Sequence, residues 1–578
     1  MRYEKQILEA YAKLGFQPRD KQAAQCDEIV RAFLDEGNRT VVLSAPTGTG
    51  KSIIGAVTAE VIHSIKYPDS EHGASFLLTA TNVLADQYSY TFDGIEGFHI
   101  IKGARNYACK ALSTVQEPVD AESCAIQLFR KQNMRDMMDT YCSQCEYQKS
   151  REAKSKSRHL ITNYSFYFID RLYAQHPIAR RSICVFDEAH LVNDLFVEHN
   201  SVYVSEKRLK ITADEAMEHL QLGHSDLFTS LRKIKDNLAA GKITDKNYQT
   251  YARALLECYE MISNSARAKA ESNIRNHGKY LQLSRLSKKY YNLGCKIDDL
   301  LRFQYPHVFE YKPKDLQKGQ NEHEMSIKPI FVGEMFQALD NADYNLLMSA
   351  TISEGLTKRT MMLPEPIKHI CLEPHFPPKN KQIVFFKPQL LNYNSMKDEE
   401  TVKQLCANVW QIVDHHAQRG ERGLILAPSF NIVQSVAGTL RGMGGKYEIF
   451  EQQKGQPLAE VLHYFKQYDH GPAVLLTPSG FEGVDLPGDL SRFQIVVKAP
   501  FGSLGEKRMQ HILDVYPDIY SLLALMKIVQ GAGRSVRSSD DYAVTYFLDT
   551  AIQRLWSSSQ NVWKSEFSTT FKSQLSQD

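Results

Sequence analysis

The sequence predicts an α/β protein built on two parallel-sheet domains, with two insertions interrupting the first. Three observations carry this. Short apolar runs alternate with helical patterns up to about residue 101 and again from about 423 to the end, the signature of parallel sheets covered on both faces. Between them, residues 200–325 lose strand signals and take on helical periodicity. Four cysteines, Cys109, Cys124, Cys142 and Cys145, cluster where the first pattern breaks.

Bulk properties fit this division. A chain of 578 residues corresponds to three or four domains at roughly 150 residues each. With 43% hydrophobic and 24% charged residues the composition is ordinary for globular proteins. A net charge of +2 argues neither for nor against nucleic acid, so any basic binding surface must be local. No apolar run reaches the ~18 residues needed to span a bilayer. Met1-Arg2-Tyr3-Glu4-Lys5 opens an amphipathic pattern rather than a signal peptide. These features predict a soluble cytoplasmic protein, nucleoid-associated in a bacterium or phage, with no membrane partner. Ten cysteines in so long a chain do not make a disulfide scaffold, and Cys184, in Ile183-Cys184-Val185-Phe186, reads as a small buried hydrophobe.

In chain order, Val41–Ser44 reads as a buried strand, Ile53–Ile65 as a helix, Ser75–Thr81 as a second strand and Leu84–Tyr88 as part of a helix. After the cysteines the pattern resumes with Leu160-Ile161-Thr162 and an apolar strand running into Asp187. The helical insertion follows, with a stretch from Tyr251 to Ala268. Its segment 267–289 carries Arg267, Lys269, Arg275, Lys279, Arg285, Lys288 and Lys289 against the single acid Glu271. That segment reads equally as a solvated helix face and as a phosphate-contacting surface. Asn345–Met348 returns to strand, and the prolines near 374–379 mark a linker. Strands at Gly423–Leu426, Ala473–Leu476, Gln494–Val497 and Ala543–Phe547 then form the second sheet.

The chemistry lies between these elements. Ala45-Pro46-Thr47-Gly48-Thr49-Gly50-Lys51-Ser52 joins a strand to a helix and fits a phosphate-binding loop, with Ala45 at the usual first glycine. Glycines let backbone N–H groups wrap phosphates, Lys51 supplies a point charge, Ser52 offers a hydroxyl to Mg²⁺, and the helix N-terminus favours the anion. Asp187-Glu188-Ala189-His190 follows a buried strand. Asp187 is expected to hold Mg²⁺ and Glu188 to orient and deprotonate the attacking water. Near the C-terminus, Arg534 and Arg537 in Gln530-Gly531-Ala532-Gly533-Arg534-Ser535-Val536-Arg537 share a helix face. Their planar forks suit a γ-phosphate. They belong to the second domain, so they must reach across a cleft, and ATP would draw the two domains together.

With these motifs in view, the chain resembles the superfamily-two helicases, and within them the XPD/DinG branch of iron–sulfur DNA helicases, closer to DinG. Phe16-Gln17-Pro18-Arg19-Asp20-Lys21-Gln22 resembles the Q motif, which implies Gln22 on the adenine. Thr79-Ala80-Thr81 with Leu84 and Gln87 resembles motif Ia, which places Thr81 at the nucleic-acid strand. Ser349-Ala350-Thr351 is similar to the motif that couples hydrolysis to movement, with His190 as partner. Ser479-Gly480-Phe481-Glu482-Gly483-Val484-Asp485-Leu486 resembles DinG motif V, which implies Gly483 and Asp485 at the nucleotide. Gly533 to Asp549 resembles motif VI with its following strand, and gives Gln530 a catalytic place beside the arginines.

The cysteine spacing alone leaves tetrahedral zinc and an iron–sulfur cluster open, and slightly favours zinc. The resemblance, through the lead-in Lys102-Gly103-Ala104-Arg105-Asn106-Tyr107-Ala108-Cys109, implies a [4Fe–4S] cluster with Arg105 near phosphate or the cluster. The full expectation is two RecA-like motor domains, the first in 1–104, 151–199 and 326–375 and the second in 376–578. An iron–sulfur domain (105–150) and a helical arch (200–325) insert into the first. The expected activity is ATP-driven, 5′→3′ translocation on single-stranded DNA by a monomer that opens forked DNA with the cysteine insert as wedge. RNA–DNA hybrids stay open as substrates, and a DNA-stimulated translocase that does not unwind is the alternative.

Overall fold

The computed structural model describes all residues except 20, 47, 110–119, 122–134, 144, 175–176, 221–225, 274–275, 303–305, 316–319, 334, 374–376, 479–483, 485, 533–535, 537–540 and 573–578. The chain begins with two helices, Glu4–Lys13 and Gln22–Leu34, and then enters a sheet through β1 (Thr40–Ser44), β2 (Ser75–Thr79), β3 (Phe98–Ile100), β4 (His159–Asn163) and β5 (Arg181–Asp187). Strands β1 and β2 are buried along almost their whole length, with apolar centres, because helices cover both faces. The helix Lys51–Lys66 packs on this sheet so closely that a Cβ at Gly55 would stand 2.9 Å from Val185 Cγ1 and from Met348 Cε.

After β5 the chain leaves the sheet. Short β6 (Val202–Ser205) leads into helices Glu206–Leu220 and Asp226–Ala239, then a long pair, Tyr248–Ser272 and His277–Arg302. Leu255, Ile262 and Ala266 of the first long helix and Leu283, Tyr290 and Ile297 of the second are buried in one continuous core, the apolar stripe of an amphipathic helix pair. The region is not purely helical. β7 (His307–Lys312) and β8 (Glu324–Pro329) pair antiparallel with β6 in the order β6-β8-β7. Polar residues interleaved with apolar ones, as in Glu324-Met325-Ser326-Ile327-Lys328, and their place beside long helices hid them in the sequence pattern.

The chain then re-enters the first sheet through β9 (Ala342–Ser349) and β10 (Ile367–Cys371), giving the order β10-β1-β9-β5-β2-β4-β3, parallel throughout. The crossing into the second sheet passes the turn Pro378–Asn380. That sheet contains β11 (Lys381–Gln389), β12 (Gly423–Leu426), β13 (Glu448–Glu451), β14 (Ala473–Thr477), β15 (Phe493–Val496), β16 (Ala543–Asp549) and β17 (Ser568–Lys572). Its order is β13-β14-β12-β15-β16-β11-β17, again parallel. Two parallel seven-stranded sheets covered by helices are the two parallel-sheet domains expected, and the fold class is α/β. Ile330, Phe331 and Leu356, from the chain before and after β9, are buried in the core beneath the second sheet, so the domains share apolar contact. Among the described residues no helix is long and apolar enough to cross a membrane.

Candidate active site

Parallel alignment gathers the motifs on one edge. β1 ends at Ser44, paired with Ser349 of β9, Asp187 of β5 pairs with Met348, and Thr79 of β2 pairs with Asn163 of β4. The phosphate loop, the acidic pair, the Ser349 motif and Thr81 therefore all follow carboxyl ends of neighbouring strands, where open α/β sheets bind ligands.

The loop is shaped by its glycines. Gly48 and Gly50 have φ of +87° and +76°, the left-handed region that side chains resist. A Cβ at Gly50 would also lie 2.5 Å from Gln22 Nε2. Gln22 is buried. Its Nε2 donates to Thr49 O at 2.8 Å, and its Oε1 accepts from Arg19 N at 2.8 Å. The glutamine expected on adenine is thus tied to the loop backbone. Thr49 Oγ1 donates to Pro46 O at 2.9 Å and Lys51 Nζ to Ala45 O at 3.4 Å. Lys51 and Ser52 open the helix Lys51–Lys66, whose N-terminus faces the loop.

Across the sheet edge, Asp187 is half-buried beside Lys51. Burial, then the neighbouring Glu188 charge, push its carboxyl up, and Lys51 opposes both. Glu188 takes φ +50°, a left-handed turn that swings its side chain off the strand line. Its own N–H donates to Asp187 Oδ1 at 3.0 Å. The adjacent carboxylates are thereby separated in direction, as two different jobs require. Asp187 and Ser52 are hard oxygen donors, and Asp187 Oδ2 accepts from the phenol of Tyr88. One or two such protein ligands, with phosphate and water, suit Mg²⁺.

His190 joins the acidic pair to both domains. Gln530 Nε2, near the end of the helix Pro517–Ala532 of the second domain, donates to His190 Nε2 at 2.6 Å and to Thr351 Oγ1 at 2.9 Å. His190 then carries its proton on Nδ1, which donates to Ser349 Oγ at 2.7 Å. Ser349 Oγ also accepts from Thr351 N at 3.1 Å and lies 3.4 Å from Glu188 Oε2. One hydrogen-bonded chain thus runs from Glu188 through Ser349 and His190 to Gln530, across the cleft. Among the other candidates, Thr47, Cys124, Gly483, Asp485, Arg534 and Arg537 lie outside the described residues.

Thr81 caps the helix Asn82–Thr91, its Oγ1 accepting from Leu84 N at 3.2 Å. Arg105 sits in a short turn at the start of the cysteine region and lines a cavity of about 1000 Å³ between that region, the first sheet and the helical insertion. Arg151, Arg208, Lys288 and Lys296 also line it, with Tyr147 and Phe166 among its aromatics. Among the described residues one acid lines it, Asp170, which is paired with Lys154 at 2.9 Å. A basic, aromatic-lined channel suits a nucleic-acid strand. Cys109, Cys142 and Cys145 are partly exposed and outside any disulfide, and Cys145 precedes the helix Glu146–Lys156. Among the described residues, which exclude Cys124, no three His, Cys, Asp or Glu side chains gather closely enough to hold a metal. Thiolates are nevertheless the donor type that both zinc and an iron–sulfur cluster take.

Two tyrosines escaped the sequence reading. Tyr88 Oη donates to Asp187 Oδ2 at 2.6 Å, and Tyr164 Oη to Asp187 O at 2.5 Å. No local pattern marks either, since each reads as an ordinary core aromatic.

Comparison with known proteins agrees with this geometry. Residues 412–572 match the family model described as a helicase C-terminal domain, and residues 15–214 the one described as the res subunit of type III restriction enzymes. The ATP-dependent DNA helicase YoaA of Escherichia coli K12 is 22% identical over 93% of this chain and 92% of its own length. The ATP-dependent DNA helicase DinG of Photobacterium profundum is 28% identical over 22% of this chain and 20% of its own. The chain is similar to the XPD/DinG-like superfamily-two helicases. Solved structures carry the same fold. An XPD helicase superposes with TM-score 0.61 at 15% identity, covering 96% of this chain and all of that one, and S. tokodaii Xpd4 with TM-score 0.57 at 15% identity over 96% of this chain and all of that one. In this XPD/DinG-like chain the two sheets are therefore RecA-like motor domains.

Proposed function

We propose that this protein is an ATP-dependent DNA helicase that moves 5′→3′ on single-stranded DNA as a monomer and parts forked duplex at its cysteine insert. The observation that carries the proposal is the reach of Gln530 from the second motor domain to His190 and Thr351 in the first. A residue held by both domains beside the acidic pair makes hydrolysis and domain movement one event. We take the first motor domain as 1–104, 151–199 and 326–375, the insert as 105–150, the arch as 200–325 and the second motor domain as 376–578.

In this mechanism the loop 45–52 cradles the phosphates, and Lys51 leaves Ala45 O for the β- and γ-oxygens. Ser52 and Asp187 would hold Mg²⁺, which would supply neutralising charge to the phosphates. Glu188, aimed away from Asp187, orients the attacking water and takes its proton. Gln22 sets the loop and faces the adenine, with Thr47, Gly483 and Asp485 completing the nucleotide site. Arg534 and Arg537 close on the γ-phosphate from the second domain, and their release with the product reopens the cleft. The strand lies in the basic cavity near Arg105 and past Thr81, gripped by phosphates and stacked bases with little sequence preference. Cys109, Cys124, Cys142 and Cys145 would hold a [4Fe–4S] cluster, or zinc through the same thiolates.

Strand displacement on forks with a 5′ or a 3′ tail tests this, with Lys51→Ala and Glu188→Gln as inactive controls. ATP-dependent opening of the 5′-tailed fork is expected, and an RNA–DNA fork extends the test to hybrids. DNA-stimulated hydrolysis with no displacement would replace the helicase by a translocase. No DNA-stimulated hydrolysis would end the motor reading.

A further inference from the structure

The hydroxyl of Tyr88 lies where the proposed mechanism has no use for it. Tyr88 projects inward from the helix Asn82–Thr91 and is 5% exposed. Its Oη donates to Asp187 Oδ2 at 2.6 Å, and Ser52, the other side chain assigned to Mg²⁺, neighbours the same phenol. One phenol therefore bonds one side chain assigned to Mg²⁺ and lies beside the other. Glu188 N holds the other carboxylate oxygen of Asp187 at 3.0 Å. Each oxygen thus spends one lone pair on a donor that fixes it and keeps another for the metal and its waters.

The helix that carries Tyr88 faces outward as well. Val83, Gln87 and Tyr90, at i, i+4 and i+7, form its exposed side, with Val83 68% and Tyr90 81% exposed. Its first residue, Asn82, accepts from Asn163 Nδ2 at 2.5 Å and donates to Asn106 Oδ1 at 3.2 Å. Asn106 and Asn163 both line the basic cavity. The helix is thus bonded at its start to the wall of the strand channel and, two turns on, to the acidic end of β5.

We propose that Tyr88 is a positioning residue: its hydroxyl holds Asp187 in register with Ser52 for Mg²⁺ and transmits to Asp187 the setting of the strand-facing helix. This rests on the helicase reading above. A phenylalanine would fill the same space, so the hydroxyl alone bears the role. Outer-sphere partners that orient metal ligands are worth about 10-fold or more in metal affinity.

The test is Tyr88→Phe, read by binding of a fluorescent, slowly hydrolysed ATP analogue during Mg²⁺ titration, with and without single-stranded DNA. The expected result is a half-saturating Mg²⁺ concentration raised about 10-fold, with binding in EDTA and the melting temperature unchanged. DNA should lower the Mg²⁺ midpoint of the wild type and leave that of the variant where it was. An unchanged midpoint overturns the proposal. So does a variant that unfolds or loses binding equally with and without metal, which would make Tyr88 a packing residue. A DNA shift retained in the variant overturns the transmission. Wild-type protein that hydrolyses ATP without response to DNA would instead fail the helicase reading, and the midpoints without DNA would still decide the role of Tyr88 at the metal.

Discussion

Gln530 is the residue on which the two motor domains meet chemically. Its amide gives two N–H bonds to the first domain, one to a ring nitrogen and one to a hydroxyl. Truncation to Gln530→Ala leaves His190 Nε2 without that donor, and His190 is what carries the contact to Ser349 and Glu188. The phosphate loop, Lys51 and Gln22 are untouched. Nucleotide affinity should therefore hold while DNA-stimulated hydrolysis falls by about 10-fold or more, from two hydrogen bonds at ~1 kcal/mol each. Comparing analogue binding with steady-state turnover checks this. An equal loss in both would make Gln530 a binding residue rather than a coupling one.

At the scale of elements, the helix behind the phosphate loop is fastened from its far end. Glu60, with its side chain 3% exposed, receives Arg158 at 2.7 and 2.9 Å, Lys13 at 2.6 Å and His159 Nε2 at 3.1 Å. Ser75 Oγ donates to His159 Nδ1 at 2.8 Å, so a neutral His159 donates from Nε2. Burial alone would raise the carboxyl of Glu60, but the bonds from His159, Arg158 and Lys13 outweigh it and hold it well below 4.5. Burial pushes His159 down to about 4. The signs agree. A depressed carboxylate stabilises above its unfolded value of 4.5 and loses that contribution as pH falls. A depressed histidine stabilises above 6.5 and loses its contribution between 6.5 and about 4. Glu60→Gln should cost about 3 kcal/mol at neutral pH by stranding Arg158, and the gap in melting temperature to wild type should narrow below pH 4.5. A gap constant with pH would put the stabilisation in packing instead.

The same elements show what could be read in advance. β1, β2, β5, β12 and β14 are buried on both faces and stand out as continuous apolar runs. β17, Ser-Thr-Thr-Phe-Lys at a sheet edge, carries no such run, and β7 and β8 interleave polar with apolar residues, as in Glu324-Met325-Ser326-Ile327-Lys328. Lys51, Asp187 and Ser349 end up side by side because each follows a strand, a pattern visible locally. Tyr88 is 99 residues from Asp187, and only the folded sheet edge brings the two together.

For the whole molecule, the question is whether the cysteine insert is part of the motor or mounted on it. The insert departs after β3 and returns before β4, and those strands pair directly, Phe98 against His159 and Ile100 against Ile161. The first sheet is therefore closed without the insert, and its two cores draw on the helices of the motor and the arch. Ser52, Asp187, Glu188 and Gln530 come from elements outside 105–150. Loss of the metal group should then leave the ATP site working and disable strand separation. Anaerobically purified protein should contain iron and show broad visible absorption. Cys145→Ser should bleach it, keep DNA-stimulated hydrolysis within about twofold, as expected for a distant independent site, and abolish displacement of a duplex. A colourless protein with stoichiometric zinc would replace the cluster by a zinc site while the motor stands. Hydrolysis lost together with the colour would show that the insert is built into the motor after all, through the Asn82–Asn106 bond at the base of the Tyr88 helix.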